Sequence, residues 1–272
     1  MKKKNLYSPI AVILIVIYLL IPLIVTAIYS LFDKWTELMP EGFTLRNYTE
    51  LFTESDFMMS LLHTIIICII PIILTVVVVL LALFAVLIYF PKLERLLQML
   101  CMLPYMIQGV ILSVSIISLY AGSGTILSNR MLLLTGAYCI IILPYIYQGI
   151  RNSMHSINMP MLLEAAEMLG ASKIYGFFKV IVPNIISGIM VSSLLAVGII
   201  FGDYVLIRNI AGTSFKNVQI YLFLTMKSSS TKASAVFVII MITTFFITFI
   251  MLTLQNRGDR KRGANIVEEE EI

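Results

Sequence analysis

RNSMHSINMPMLLEAAEMLGASKIYGFFKVIVP, residues 151–183, is a long polar interruption between two apolar blocks. Two short amphipathic helices are written into it, hinged at Gly170. Ser156 or Asn158 can cap the first by accepting a hydrogen bond from a free amide. Pro160 then falls in the first turn, where its missing donor costs little. Met161, Leu162, Ala165, Met168 and Leu169 recur at helical spacing as one apolar face. Glu164 and Glu167 share an edge near the positive end of the helix dipole. Gly170 suits the left-handed cap that ends such a helix. Ser172 can cap the second helix, where Ile174, Phe177, Phe178 and Ile181 form the next stripe, and Pro183 marks the return to apolar sequence. Periodicity alone leaves two readings open. One is an interfacial hairpin lying in the lipid boundary, the other a docking element for something outside the membrane.

The remaining composition sets the class. Of 272 residues, 60% are hydrophobic and 12% charged, with a mean hydropathy of +0.98. A soluble chain of this length would expose large apolar patches, so an all-α integral membrane protein is expected. The net charge of +4 comes without a basic patch interleaved with aromatics. It marks a cytoplasmic side rather than a nucleic-acid partner. The apolar run over 9–32 is too long for a cleavable signal and reads as a first membrane helix. Cys68, Cys101 and Cys139 lie inside apolar blocks and are expected to be packing residues.

A helix needs about 20 apolar residues to cross the hydrocarbon core. Six candidates occur within a single transmembrane domain over 1–272: residues 7–32, 57–90, 96–120, 131–150, 184–207 and 233–254. The polar loop 151–183 falls between helices 4 and 5, and 255–272 forms a tail. Pro71 offers a kink, and Pro104 and Pro144 require neighbours to satisfy the carbonyls they free. With the N-terminus inside, inner segments hold Lys2, Lys3, Lys4, Lys92, Arg95, Arg151, Lys173, Lys179, Arg257, Arg260, Lys261 and Arg262. Outer ones hold Lys34, Arg46, Arg130, Arg208, Lys216, Lys227 and Lys232. The bias places both termini in the cytoplasm. Residues 208–232, basic yet outside, dissent and are long and polar enough to form structure of their own. The first outer loop is acidic (Asp33, Glu37, Glu41, Glu50, Glu54, Asp56), which suits either attraction of cationic solutes or a solvated loop. The basic cluster of the tail suits the lipid–water boundary, and its glutamate run a solvated end.

Catalytic signatures are missing. The chain has no GxxxxGK[ST], HExxH, paired CxxC or GxSxG motif, so neither catalysis nor a bound cofactor is expected. His63 sits in an apolar helix and is expected to bond within the bundle, and His155 to be solvated.

The order of residues in the opening stretch narrows its two readings. Glu164-Ala165-Ala166, then Gly170, then Ile181-Val182-Pro183, resembles the EAA motif of ABC importer permeases, with Val182 standing where Leu is usual. Gly42-Phe43-Thr44-Leu45-Arg46-Asn47-Tyr48 with Leu51-Phe52, and Phe201-Gly202-Asp203-Tyr204-Val205, are similar to segments of the polyamine subfamily. The resemblance covers roughly residues 44–246. It implies a non-catalytic permease subunit of the bacterial plasma membrane, paired with a second, identical or homologous permease. Two ATPase subunits, which bind the ATP and Mg, and an extracytoplasmic solute-binding protein would complete the assembly. Glu164, Ala165, Ala166, Gly170 and Pro183 would belong to the cytoplasmic coupling loop, Glu164 offering an acceptor and the alanines allowing close approach. A polyamine such as spermidine or putrescine is the leading cargo, with phosphonate or an iron complex next. A secondary transporter or channel without an ATPase is the alternative; it would be expected to carry more charge within the membrane.

Two further features stand in the fifth helix. Gly188, Ser192 and Ala196 recur every four residues, and Gly198 and Gly202 form a GxxxG, so close packing is expected either within the chain or between subunits. Asp203, an acid at membrane depth, costs about 2.5–3.5 kcal/mol on insertion scales and so should face a cavity or a partner. With Tyr204 it is a candidate for the solute pathway; pairing with Arg208 is the other option.

Overall fold

The computed structural model describes residues 7–36, 39–107, 109–120, 122, 124, 128–212 and 215–270, and the side chains of 12–35, 41–107, 109–120, 122, 124, 128–212 and 215–253 among them. Lys2, Lys3, Lys4, Glu37 and the side chains of the tail, which entered the charge argument, lie outside the described residues. The chain is helical apart from one hairpin, Phe32–Thr36 (β1) with Met39–Phe43 (β2), paired antiparallel.

Four helices carry a stretch long and apolar enough to cross a membrane: α1 (Tyr7–Tyr29), α3 (Ser55–Tyr89), α6 (Arg130–Ser156) and α13 (Ser230–Glu270), the last over Ser230–Thr253. Between α1 and α3 lies α2 (Arg46–Thr53). The helix α3, at 35 residues, rises about 52 Å. It therefore extends well past a core of about 30 Å.

The other two expected spans, 96–120 and 184–207, are not straight. α4 (Glu94–Met102) runs into a 3-10 turn, Leu103–Met106, and α5 (Gly109–Tyr120) follows at 100° to the preceding segment. Pro104 lies in that turn, where it cannot donate to the preceding turn, and Ile107 is extended at φ −101°, ψ 114°. The polar loop contributes α7 (Met159–Met168), α8 (Lys173–Gly176), a π-helical turn (Phe177–Ile181) and α9 (Val182–Asn184). α10 (Ile186–Gly202) then departs at 65°. α10 stops at Asp203, extended at φ −83°, ψ 124°. α11 (Val205–Ile210) and α12 (Val218–Met226) complete the chain, so residues 208–232 do form structure of their own.

α6 is the central helix: Tyr138, Ile142, Ile146, Tyr147 and Ile150 are all buried, with α3 and α10 packed on it. α1 lies at the periphery; none of Val12–Tyr29 is buried, as suits a lipid-facing helix.

Ion pairs at one end of the bundle explain the basic loop that broke the charge rule. Lys216 binds Asp56 at 2.8 Å and Lys232 binds Glu54 at 2.7 Å. Arg46 and Glu50 pair within α2. The acidic loop 33–56 and the basic loop 208–232 therefore sit on the same side and neutralise each other, which leaves less free charge to attract cations than the sequence alone indicates. The same end is tied by Asn47, which donates to the carbonyls of Ser30 (3.2 Å) and Phe32 (3.1 Å), and by Thr231, which donates to that of Asp33 (3.1 Å).

The Lys232 contact holds the Glu54 carboxyl below its ordinary value. A depressed folded pKa adds stability that is complete above the unfolded value, about 4.5, and is lost as pH falls through the folded one. The melting temperature of the detergent-solubilised chain is therefore expected to drop on acidification below about 4.5. Glu54→Gln should be less stable at neutral pH and show a shallower acid limb. An unchanged acid limb in that variant would remove this role for the pair.

Candidate functional site

The polar loop folds as two capped helices. Asn158 is the cap selected: its side-chain oxygen accepts from the Met161 amide at 3.4 Å, with Pro160 in the first turn. At the other end of α7 the Gly170 amide donates to Glu167 O (2.9 Å) and the Ala171 amide to Ala166 O (3.0 Å). These are the two bonds of a Schellman cap, which needs its glycine left-handed, and Gly170 has φ +84°. Ser172 caps α8 by accepting from Tyr175 N at 3.3 Å. Lys173 reaches back to Glu167 at 3.8 Å. Pro183 lies in the first turn of α9, where it has no N–H for the carbonyl four residues earlier; the helix has widened to π geometry just ahead of it.

The single apolar face expected of α7 is in fact divided. Ala166 is buried, and a Cβ at Gly176 would stand 3.4 Å from its methyl and 3.0 Å from Leu163. Leu162 packs on the core. Ala166 thus approaches its own chain closely. Met161 points outward with Met168 and Leu169, the last two 90% and 89% exposed, and Ala165 is exposed beside them. Glu164 lies at the rim of a small cavity of about 240 Å³ with Leu87, Ile88 and Lys173. The second stripe is buried in its middle: Phe177 and Ile181 are inaccessible, and Phe84 of α3 meets Phe177 and Phe178 at 5.0 and 6.0 Å. At the root of the loop Arg151 grips Glu94 Oε1 through Nε (3.2 Å) and Nη2 (2.8 Å).

Directly beyond this loop, α6 and α10 border a groove of about 480 Å³ lined by Tyr105, Tyr145, Gln148, Asn152, Ser187 and Leu195, among others. None of its lining residues carries a carboxylate, ammonium or guanidinium. The Tyr105 and Tyr145 rings meet edge to face at 4.9 Å, and the Tyr105 hydroxyl reaches Gln148 Oε1 at 3.5 Å. Unsatisfied polar groups in hydrocarbon cost several kcal/mol each, so such a face belongs against water or protein rather than lipid. These residues were not singled out in the sequence. The signal was present, since Tyr145, Gln148 and Asn152 stand at i, i+3 and i+7 of a mainly apolar helix.

Asp203 and Tyr204 are not among the residues lining that groove. Asp203 Oδ2 accepts from the Tyr138 hydroxyl (3.0 Å) and from the Leu206 amide (3.1 Å), capping α11. Among the described residues it makes no ion pair with Arg208. Tyr204 packs on Phe223 with ring centroids 4.9 Å apart. His63 bonds within the bundle, its Nδ1 2.9 Å from Lys216 O. Gly188 and Ser192 are used within the chain, against α6, whereas added methyls at Gly198 and Gly202 would meet nothing within 4 Å.

Several apolar helices, a capped amphipathic loop between two of them and a polar groove behind it are the features of a multi-pass membrane protein. The chain belongs to the family of binding-protein-dependent transport system inner membrane components, whose model matches residues 92–262; it is an ABC importer permease. It is similar to the spermidine/putrescine transport system permease protein PotC of Haemophilus influenzae. The two are 25% identical over 214 residues, 79% of this chain and 82% of that protein. In fold it matches a chain in the crystal structure of the bacterial alginate ABC transporter in complex with alginate pentasaccharide-bound periplasmic protein. The TM-score is 0.69 at 15% identity, over 93% of this chain and 94% of that one. A second crystal structure, of a bacterial ABC transporter involved in the import of the acidic polysaccharide alginate, gives 0.67 at 16% over 93% and 95%. Family membership sets aside the channel and secondary-transporter alternative.

The cap at Gly170 makes a direct prediction. A Cβ there would touch nothing within 4 Å, so the penalty for Gly170→Ala is conformational alone, about 1–2 kcal/mol. Thermal unfolding of the purified chain is expected to show that loss, and a smaller one for Gly170→Asn, which tolerates the left-handed region better. Equal stability of wild type and Gly170→Ala would contradict the Schellman geometry.

Proposed function

We propose that the chain is one permease subunit of an ATP-driven importer in the bacterial plasma membrane, with both termini cytoplasmic, and that its cargo is a polyamine. The observation that carries the coupling role is the outward face of α7. Met161, Met168 and Leu169 present apolar surface, with Ala165 beside them, on a helix fixed at both ends by caps. An exposed apolar patch of this kind, rimmed by Glu164 and Glu167, fits a protein partner. That partner is an ATPase subunit, one of a pair that binds ATP and Mg; the permease itself catalyses nothing and holds no cofactor. A second permease subunit and an extracytoplasmic solute-binding protein complete the assembly in the bilayer. Glu164, Ala165 and Gly170 present the docking surface, while Ala166 and Pro183 shape it from within.

For the cargo, the resemblance to a spermidine/putrescine permease is supported by the chemistry of the groove. Ammonium groups are donors, and tyrosine faces and amide and hydroxyl oxygens receive them. Val191 and Leu195 suit a methylene stem.

Two measurements test the proposal. Leu169→Asp changes a side chain that is 89% exposed, so stability should stay within about 0.5 kcal/mol. Co-purification with the ATPase and solute-stimulated ATP hydrolysis should both be lost; retention of both would refute the docking face. In vesicles containing the complete assembly, spermidine should drive ATP hydrolysis. Gln148→Leu with Asn152→Leu should raise its KM about tenfold, as expected for two lost hydrogen bonds. Uptake of spermidine without any ATPase, or no response to it, would reject the mechanism or the cargo respectively.

A further inference from the structure

Where α6 crosses α10, two glycines and two serines interlock reciprocally. A Cβ on Gly149 would collide with Ser192 and would stand 3.5 Å from the Gly188 carbonyl oxygen; a Cβ on Gly188 would collide with Ser153 and stand 3.3 Å from the Gly149 carbonyl oxygen. Each helix thus supplies one Gly-x-x-x-Ser turn, and each serine fits over the partner helix's glycine. Both hydroxyls are satisfied on their own helix, Ser153 donating to Gly149 O at 3.0 Å and Ser192 to Gly188 O at 2.9 Å. Neither serine hydroxyl donates across the crossing, so the fit of these four residues is one of shape. Backbones this close forbid both a larger side chain and a slide along the axis, because a shift by one residue would drive a serine into a larger neighbour such as Ile150 or Ile189.

The position of this crossing gives it a consequence. Gly149 and Ser153 lie on α6 ahead of α7, and Gly188 and Ser192 lie on α10 after α9, so the crossing closes the segment between them at its base. The same four residues border the groove. We infer that the Gly149–Ser192 and Ser153–Gly188 interlock makes the α7 loop and the groove wall one rigid body, so that a displacement of α7 reaches the groove undiminished. The four are positioning residues, and the inference rests on the coupling role proposed above.

The complete assembly in vesicles, with its ATPase, second permease and binding protein, tests it through the number of ATP molecules hydrolysed per solute imported at saturating solute. Gly149→Ala and Gly188→Ala wedge the crossing open and are expected to raise that ratio severalfold. Ser192→Gly added to the first, and Ser153→Gly added to the second, should restore it. A role in stability alone would lower the amount of complex and its melting temperature while leaving the ratio per complex unchanged, and that result would overturn the inference. Should the single variants fail to accumulate, the exchanged pair Ser153→Gly with Gly188→Ser moves the protrusion to the other helix. Normal coupling in it supports the interlock; faulty coupling or failure to assemble overturns it. The wild-type assembly separates the two levels, because absence of solute-stimulated ATP hydrolysis there would defeat the coupling role itself, before any variant is compared.

Discussion

Every backbone amide and carbonyl at membrane depth must find its partner inside the protein, and this constraint governs where the chain is allowed to break. α10 ends at Asp203 without leaving its neighbours bare. The Gln219 side chain donates through Nε2 to Phe201 O at 2.9 Å, and Asp203 receives the backbone amide of Leu206 that α11 would otherwise leave free. Tyr138, on the buried face of α6, holds the same carboxylate at 3.0 Å. The Asp203 carboxyl thus joins three helices. Asn217 accepts from Ile220 N (2.9 Å), and Thr64 of α3 accepts from Val218 N (3.0 Å). The short helices α11 and α12 exist because side chains stand in for the missing turns.

Much of the architecture was legible because membrane insertion imposes a coarse code. Long apolar runs specify α3, α6 and α13, and Asn158, Gly170 and Ser172 are cap residues whose chemistry acts within a few positions. The breaks were less legible. Pro104 marks a weak point three residues before Ile107, but hydropathy sums over a window and does not register direction, so neither the turn there nor the break at Asp203 could be read from it. The charge rule faltered at 208–232 for a related reason. It counts positive charges and ignores the acids opposite them, and here Glu54 and Asp56 lie far away in sequence. The groove escaped because Gln148 and Asn152 belong to one helix while Ser187 and Leu195 belong to another, and the crossing that brings them together is tertiary.

The divided face of α7 shows how a single periodicity can serve two surfaces. Its apolar residues were expected to form one stripe, and a stripe has one partner. In the structure Leu162 and Ala166 turn inward, while Met161, Met168 and Leu169 turn out. Small residues make this possible. Ala166 lets α7 lie close against Gly176, which brings the loop down onto α3 through Phe84 and Phe177 and leaves the opposite side clear.

That arrangement bears on how a loop can act as a lever at all. A helix of ten residues is marginal in isolation, because nucleation costs more than so few bonds return. α7 is ordered by what its own chain supplies: an asparagine cap, a Schellman cap, the Glu167–Lys173 pair and the inward contacts of Leu162 and Ala166. Arg151, bound to Glu94, fixes the base. A partner that binds the outer face therefore meets a surface that is already ordered and loses little free energy to ordering it. If the loop were soft, movement of the partner would be absorbed by unfolding the loop. Because the loop also rests on α3 through Phe177 and Phe84 and is tied at its base to α4 through Arg151 and Glu94, a push on it bears on those helices as well.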